Sequence, residues 1–192
     1  MWIELIGLPG TGKTTMVEQN SSAIRSYYKI VRSDNASIVQ RVIAKLLYHF
    51  RYKSLTESNA LAKKLAYRHS FRFFESRNKD IFFYDSGVMQ VILENLIETN
   101  FATQEQVLAL MSEIPLPDKV IFITDEIEDI ALREVNRTTP RFNLTLSETI
   151  KRYKIAHQIT EQELLHKVKF ANTVCSQQTK QFIKEFENEK AL

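Results

Sequence analysis

The stretch Gly7-Leu8-Pro9-Gly10-Thr11-Gly12-Lys13-Thr14-Thr15 follows directly on the apolar run Trp2-Ile3-Glu4-Leu5-Ile6. It fits the pattern of a glycine, four residues and then Gly-Lys-Ser/Thr, and that pattern has a mechanism behind it. Glycines let successive main-chain N–H groups turn inward around phosphate oxygens, and the helix that follows offers its positive N-terminal end to the same anion. In such a loop Lys13 reaches the β- and γ-phosphates, while the Thr14 hydroxyl ligates Mg²⁺. The order strand, loop, helix separates this stretch from a chance Gly-rich turn. The expected triphosphate contacts are Gly7, Pro9, Gly10, Thr11, Gly12, Lys13, Thr14 and Thr15, with a nucleoside triphosphate and Mg²⁺ as the bound species.

The rest of the chain is organised around this start. At 192 residues and 22.4 kDa it fits a single domain, 1–192, long enough to bury a parallel sheet between helices. Strand character appears at 2–6, 28–32, 80–84 and 119–124, and more weakly at Lys167 to Asn172, with helical patterns between. That alternation predicts an α/β fold with a parallel sheet and crossover helices. Helices are expected over 13–26, from Ser33-Asp34 through Phe50, over 56–77, 87–98, 103–113 and 147–167, and finally over 176–189. The spacing of Ile38, Val39, Val42, Ile43, Leu46, Leu47 and Phe50 predicts a stripe packed into the core. The aromatic residues of 67–74 are read the same way.

Composition excludes several classes. Hydrophobic content of 44% with 26% charged residues is ordinary for a globular protein, and no apolar run reaches the length of about 18–20 residues that spans a bilayer. A first strand beginning at the start of the chain leaves no room for a secretory leader, so a cytoplasmic location is expected. The single cysteine, Cys175, cannot form an internal disulfide and is read as a structural thiol. A net charge of +3 does not by itself point to nucleic acid, and it suits a small anionic acceptor equally well. A homodimer is compatible with this reading.

Two further features bear on chemistry. Strand three, Asp80-Ile81-Phe82-Phe83-Tyr84, ends in Asp85-Ser86-Gly87, which puts a carboxylate at the carboxyl end of a buried strand. An Asp there can hold the metal's water shell or accept the proton of an attacking hydroxyl. It can also cap the helix that follows. Ser86, where motor-type ATPases carry a second carboxylate to polarise water, favours phosphoryl transfer to a bound acceptor. After strand four, Arg133, Arg137 and Arg141 recur at i, i+4 and i+8, and Pro140 is expected to end their helix and leave Arg141 on a loop. Guanidinium groups on a closing segment stabilise the charge that spreads over a transferring phosphoryl group. The other reading of these arginines is a solvated face paired with Glu126, Glu128, Asp129 and Glu134.

Taken together, the loop on strand one, Asp85-Ser86-Gly87 and the Arg-x-x-x-Arg-x-x-x-Arg segment after strand four resemble the P-loop kinases of nucleosides, nucleotides and other small metabolites. Thymidylate and adenylate kinases are relatives in the broad sense. The resemblance implies a three-layer α/β/α fold with a five-stranded parallel sheet and a LID at about 126–146. It implies that Lys13, Asp85, Arg133, Arg137 and Arg141 are catalytic, that Thr14 and Asp85 serve the metal, and that Asn172 and Thr173 lie on the loop after strand five that packs on adenine. Ala66-Tyr67-Arg68 resembles the Ala-x-Arg that contacts the acceptor phosphate in thymidylate kinases, with Arg72 one turn later as a substitute; the neighbouring His69 is read as packing or surface. Of the strand-two motif Arg-Glu-Pro only Arg32 carries over. Asp85-Ser86 replaces the Asp-Arg of thymidylate kinases, which weakens the case for thymidine monophosphate as acceptor.

The function implied is ATP- and Mg²⁺-dependent transfer of the γ-phosphoryl group to a nucleoside or nucleoside monophosphate. Two alternatives stay open at the level of sequence. One is a nucleotide-hydrolysing switch or ATPase acting on a macromolecular partner, although the Asn-Lys-x-Asp motif of GTPases is absent. The other is a kinase of a sugar or antibiotic, which shares the loop and the LID and differs in its acceptor pocket.

Overall fold

The computed structural model describes residues 2–22, 29–31, 39, 42, 46, 82–85, 87–102, 104–114 and 116–175. Strand β1, Trp2–Gly7, is buried along its whole length. A continuous apolar run of this kind suits the centre of a parallel sheet covered on both faces. Ile3, Leu5 and Ile6 are fully buried, each contributing about 1.5–3 kcal/mol relative to exposure. β1 pairs in parallel with β3, Phe82–Asp85, on one side and with β4, Lys119–Thr124, on the other. The short β2, Lys29–Val31, adds outside β3, and β5, Phe170–Cys175, outside β4, so the order is β2-β3-β1-β4-β5. The chain therefore leaves β1 towards one edge of the sheet and later returns to its other side. In open α/β sheets such a switch point at the carboxyl ends of the strands is where ligands bind.

Helix α1, Lys13–Gln19, starts directly from the loop after β1. Asn20, whose side chain donates to the Met16 carbonyl at 2.8 Å, interrupts it, residues 21 and 22 are helical again, and the rest of the expected 13–26 lies outside the described residues. α2, Val88–Glu98, and α3, Gln104–Glu113, follow β3 as the sequence predicts. The buried face of α2 (Val88, Met89, Val91, Ile92, Leu96) packs with Trp2 and Ile6 of β1 and Phe122 of β4.

Beyond β4 the outcome departs from expectation. α4, Ile127–Val135, ends well before Pro140. The Asn136 and Arg137 amides take the last helical carbonyls, and the Glu134 carboxylate then accepts the main-chain N–H of Arg141, turning the chain back on the helix end. Arg137 and Arg141 thus both lie outside the helix.

Helix α5, Leu146–Ile159, opens with a capping box: Glu148 N–H donates to Thr145 Oγ1 and Thr145 N–H to Glu148 Oε2. Its continuation is a π turn at Thr160–Leu164 and a tight turn at Leu165–Lys167. The chain is helical to Lys167, as expected, and β5 begins at Phe170 and runs to Cys175 instead of spanning 167–172. Pairing of Lys119 with Phe170 sets that register. Asn172 and Thr173 consequently sit inside β5, opposite Ile121 and Phe122, and not on a loop after it. Arg152 of α5 donates to the Ile97 carbonyl at 2.8 Å, tying α5 to the C-terminal end of α2, where a cation is favoured.

The stripe expected to pack as core around 38–50 is corrected where it is described. Val39, Val42 and Leu46 are exposed (66%, 51% and 51%). Helical spacing tells which residues share a face but not which way that face points. Most of the expected helices over 33–77 and 176–189 lie outside the described residues. Among the described residues, no helix is long and apolar enough to cross a membrane. Cys175 closes β5 as a partly buried free thiol.

Candidate active site

The loop from Leu8 to Gly12 is shaped by its glycines and closed by Thr11. Gly10 and Gly12 stand at φ +96° and +80°, a region that side-chain-bearing residues rarely enter. At Gly10 space is limiting too, since an added Cβ would lie 2.5 Å from the Ile130 carbonyl oxygen of α4. Thr11 is buried, and both its main-chain N–H (3.2 Å) and its hydroxyl (2.9 Å) donate to the Leu8 carbonyl. Both donors of Thr11 therefore hold the loop closed on Leu8. Lys13 folds back across the loop, its Nζ donating to the carbonyls of Gly7 (2.7 Å) and Leu8 (3.2 Å). Thr14 and Thr15 are exposed on the first turn of α1.

Asp85 ends β3 in register with Leu5, two residues before the loop begins. It lies at the carboxyl edge of the sheet, as the sequence predicts. Arg32, Arg68 and Arg72 lie outside the described residues.

Each of the three arginines after β4 has a carboxylate partner. Arg133 donates to Asp125 Oδ2 at 2.7 Å and to the Asp129 carbonyl, so it braces the loop that enters α4. Arg137 pairs with Glu134 at 2.9 Å, and Arg141 pairs with Glu94 of α2. Glu134 is almost fully buried, its main-chain N lies 3.4 Å from the point where a Gly10 Cβ would sit, and its carboxylate gathers Arg137 and the Arg141 amide. Arg137 and Arg141 are thereby held at the residue that packs on the phosphate loop, whereas Arg133 points to the β4–α4 connection.

Sequence reading missed the polar groups beneath this surface. Gln90 is buried in the apolar face of α2, where its Oε1 accepts the Gly7 N–H at 3.0 Å and its main-chain N–H donates to Glu4 Oε1 at 2.9 Å. Its Nε2 donates to Glu94 at 3.0 Å. The available signal was a lone amide among Val88, Met89, Val91, Ile92 and Leu93. Tyr153 of α5 is also fully buried, in the cluster with Leu8, Ile130 and Ala131. Burial, reinforced by the negative charge of Glu134, pushes its phenol well above the ordinary tyrosine range.

No protein-family model matches the chain, and no curated protein matches it. Solved structures do. Deoxyadenosine kinase from M. mycoides with bound dATP superposes with a TM-score of 0.61 at 16% identity, covering 100% of both chains. Thymidylate kinase from Candida albicans superposes with a TM-score of 0.58 at 18% identity, over 98% of this chain and 92% of that one. The chain has the fold of the P-loop nucleoside and nucleotide kinases. Within the P-loop kinase fold, the carboxyl ends of β1 and β3 and the first turn of α1 converge on the Gly7–Thr15 loop. A second structure of the M. mycoides enzyme, with the products dCMP and dCDP, superposes with a TM-score of 0.58 at 14% identity over 100% of this chain and 99% of that one.

Proposed function

We propose that this chain is a phosphotransferase that uses ATP and Mg²⁺ and moves the γ-phosphoryl group to a nucleoside or nucleoside monophosphate. The observation that carries the reading is the packing of Gly10 on Ile130 and Glu134, which gathers Arg137 and Arg141 at the phosphate loop. The nucleoside and nucleotide kinases that share the fold, one with dATP bound and one with dCMP and dCDP, support this acceptor class over sugars and antibiotics.

In this reading the main-chain N–H groups of the loop from Gly7 to Thr15 surround the β- and γ-phosphates. Lys13 exchanges the Gly7 and Leu8 carbonyls for phosphate oxygens, a charge-assisted contact stronger than the neutral one it leaves. The Thr14 hydroxyl and the Asp85 carboxylate are hard-oxygen donors of the kind that suits Mg²⁺, and would hold it. When bound, the ion neutralises phosphate charge and orients the transferring group. Asp85 would hold the ion's water shell or take the proton from an acceptor hydroxyl. Arg137 and Arg141, with Arg133 bracing the segment, stabilise charge on the transferring phosphoryl from a LID spanning about 126–146. Arg32, Arg68 and Arg72 hold the acceptor side. The domain is the single unit 1–192, working in the cytoplasm.

The test is ADP release from ATP and Mg²⁺ across nucleosides, nucleoside monophosphates, sugars and aminoglycosides. Turnover stimulated by a nucleoside or its monophosphate is the expected result. ADP release that no acceptor stimulates would replace this reading with an ATPase.

A further inference from the structure

A polar path runs from the phosphate loop to the segment after α4. Gly7 N–H donates to Gln90 Oε1, Gln90 Nε2 donates to Glu94 Oε1, and Glu94 Oε2 takes the Arg141 guanidinium. The orientation of the Gln90 amide is dictated by its partners, since a main-chain N–H must face the carbonyl end and a carboxylate the amino end. Gln90 is itself 1% exposed and anchored at its main chain by Glu4. The Glu94 carboxylate is therefore not a free surface charge. One oxygen is held from inside the protein and the other faces Arg141, which also donates its main-chain N–H to Glu134.

We propose that Glu94 is a positioning residue that stores the Arg141 guanidinium in the nucleotide-free protein, with Gln90 fixing the carboxylate in place. The proposal rests on the phosphotransferase reading above, in which Arg141 serves the triphosphate. Arg141 meets Glu94 through Nη2 alone, but the carboxylate neutralises the charge that a triphosphate would use and its own charge repels the phosphates, so ATP competes with Glu94 for Arg141. The consequence runs opposite to that of an ordinary prop: Glu94 lowers affinity for the triphosphate, and removing its charge raises it. Differential affinity of the ligand for the stored and released states is what such a competition requires.

The experiment is calorimetric titration of the full-length protein with Mg²⁺-ATP and with AMP. Glu94→Gln and Glu94→Ala are expected to bind ATP about three- to fivefold more tightly than the unaltered protein, the scale of a half-exposed ion pair, and AMP equally. In the Arg141→Ala background the same Glu94 substitutions should change ATP affinity by less than about 1.5-fold, a coupling that a double-mutant cycle reads directly. Weaker or unchanged ATP binding in both Glu94 variants, a gain that persists without Arg141, or unfolding of both variants overturns the proposal. If the unaltered protein binds no nucleotide, the phosphotransferase reading itself fails. Normal ATP binding with no gain in the variants removes only the role of Glu94.

Discussion

Gly87 stands where any side chain would strike the carboxylate of Glu4: an added Cβ would lie 2.6 Å from Glu4 Oε2. The relationship joins the middle of β1 to the start of α2. Glu4 is fully buried and accepts the Gln90 N–H, so the carboxylate satisfies the first turn of α2 in place of a side-chain cap, which Gly87 lacks.

Gly87→Ala should therefore destabilise the fold. The methyl group needs the space of a hydrogen-bonded carboxylate, and overpacking of this kind costs about 1–3 kcal/mol. Urea unfolding checks it; a loss below about 0.5 kcal/mol would mean that Glu4 moves aside without penalty.

Lys13→Ala should abolish phosphoryl transfer while the protein stays folded. In the ligand-free protein Lys13 contributes hydrogen bonds to the Gly7 and Leu8 carbonyls at the edge of the loop, worth about 1 kcal/mol each at most. Circular dichroism and ADP release measured on one preparation separate the two effects. Unchanged turnover would remove the loop from the chemistry.

Arg137→Ala should lower kcat by on the order of 10³-fold if the guanidinium leaves Glu134 for the transferring phosphoryl. Arg137→Lys keeps the charge but not the two-pronged donor, and should recover only part of the rate. A change of less than about threefold in the Ala variant would make Arg137 a partner of Glu134 alone.

Alkaline pH should unfold the protein through Tyr153. Its folded-state pKa lies above the unfolded value, so its contribution to stability is fully present below about pH 10 and is lost as pH rises beyond it. The hydroxyl has no hydrogen-bond partner among the described residues. Tyr153→Phe should therefore be neutral or stabilising at pH 7 and should flatten the fall in Tm above pH 10. A loss of more than about 1 kcal/mol at pH 7 would mean the hydroxyl is bonded.

What was legible in the sequence was local. The phosphate loop, β4 at 119–124 and α2 from Gly87 all appear where contiguous pattern put them. The end of α4 was misplaced because Pro140 is a local stop signal, whereas the real stop is the Glu134 carboxylate catching the Arg141 amide seven residues on. The onset of β5 was misplaced because alternation of Val168 and Phe170 with lysines looks like strand, whereas pairing starts only where Phe170 meets Lys119 across the sheet. The exposed Val39, Val42 and Leu46 show the same limit on a helix face.

The glycine-rich loop after β1, the α/β alternation and the supply of arginines after β4 could be read from the chain alone, because each is written in residues within one turn or strand of one another. Only the tertiary structure decided what those groups touch. Gln90 meets Gly7 across 83 residues and Arg141 meets Glu94 across 47. Such contacts depend on which face of α2 packs on β1, a choice made by burial of apolar surface over the whole sheet and not by any segment alone.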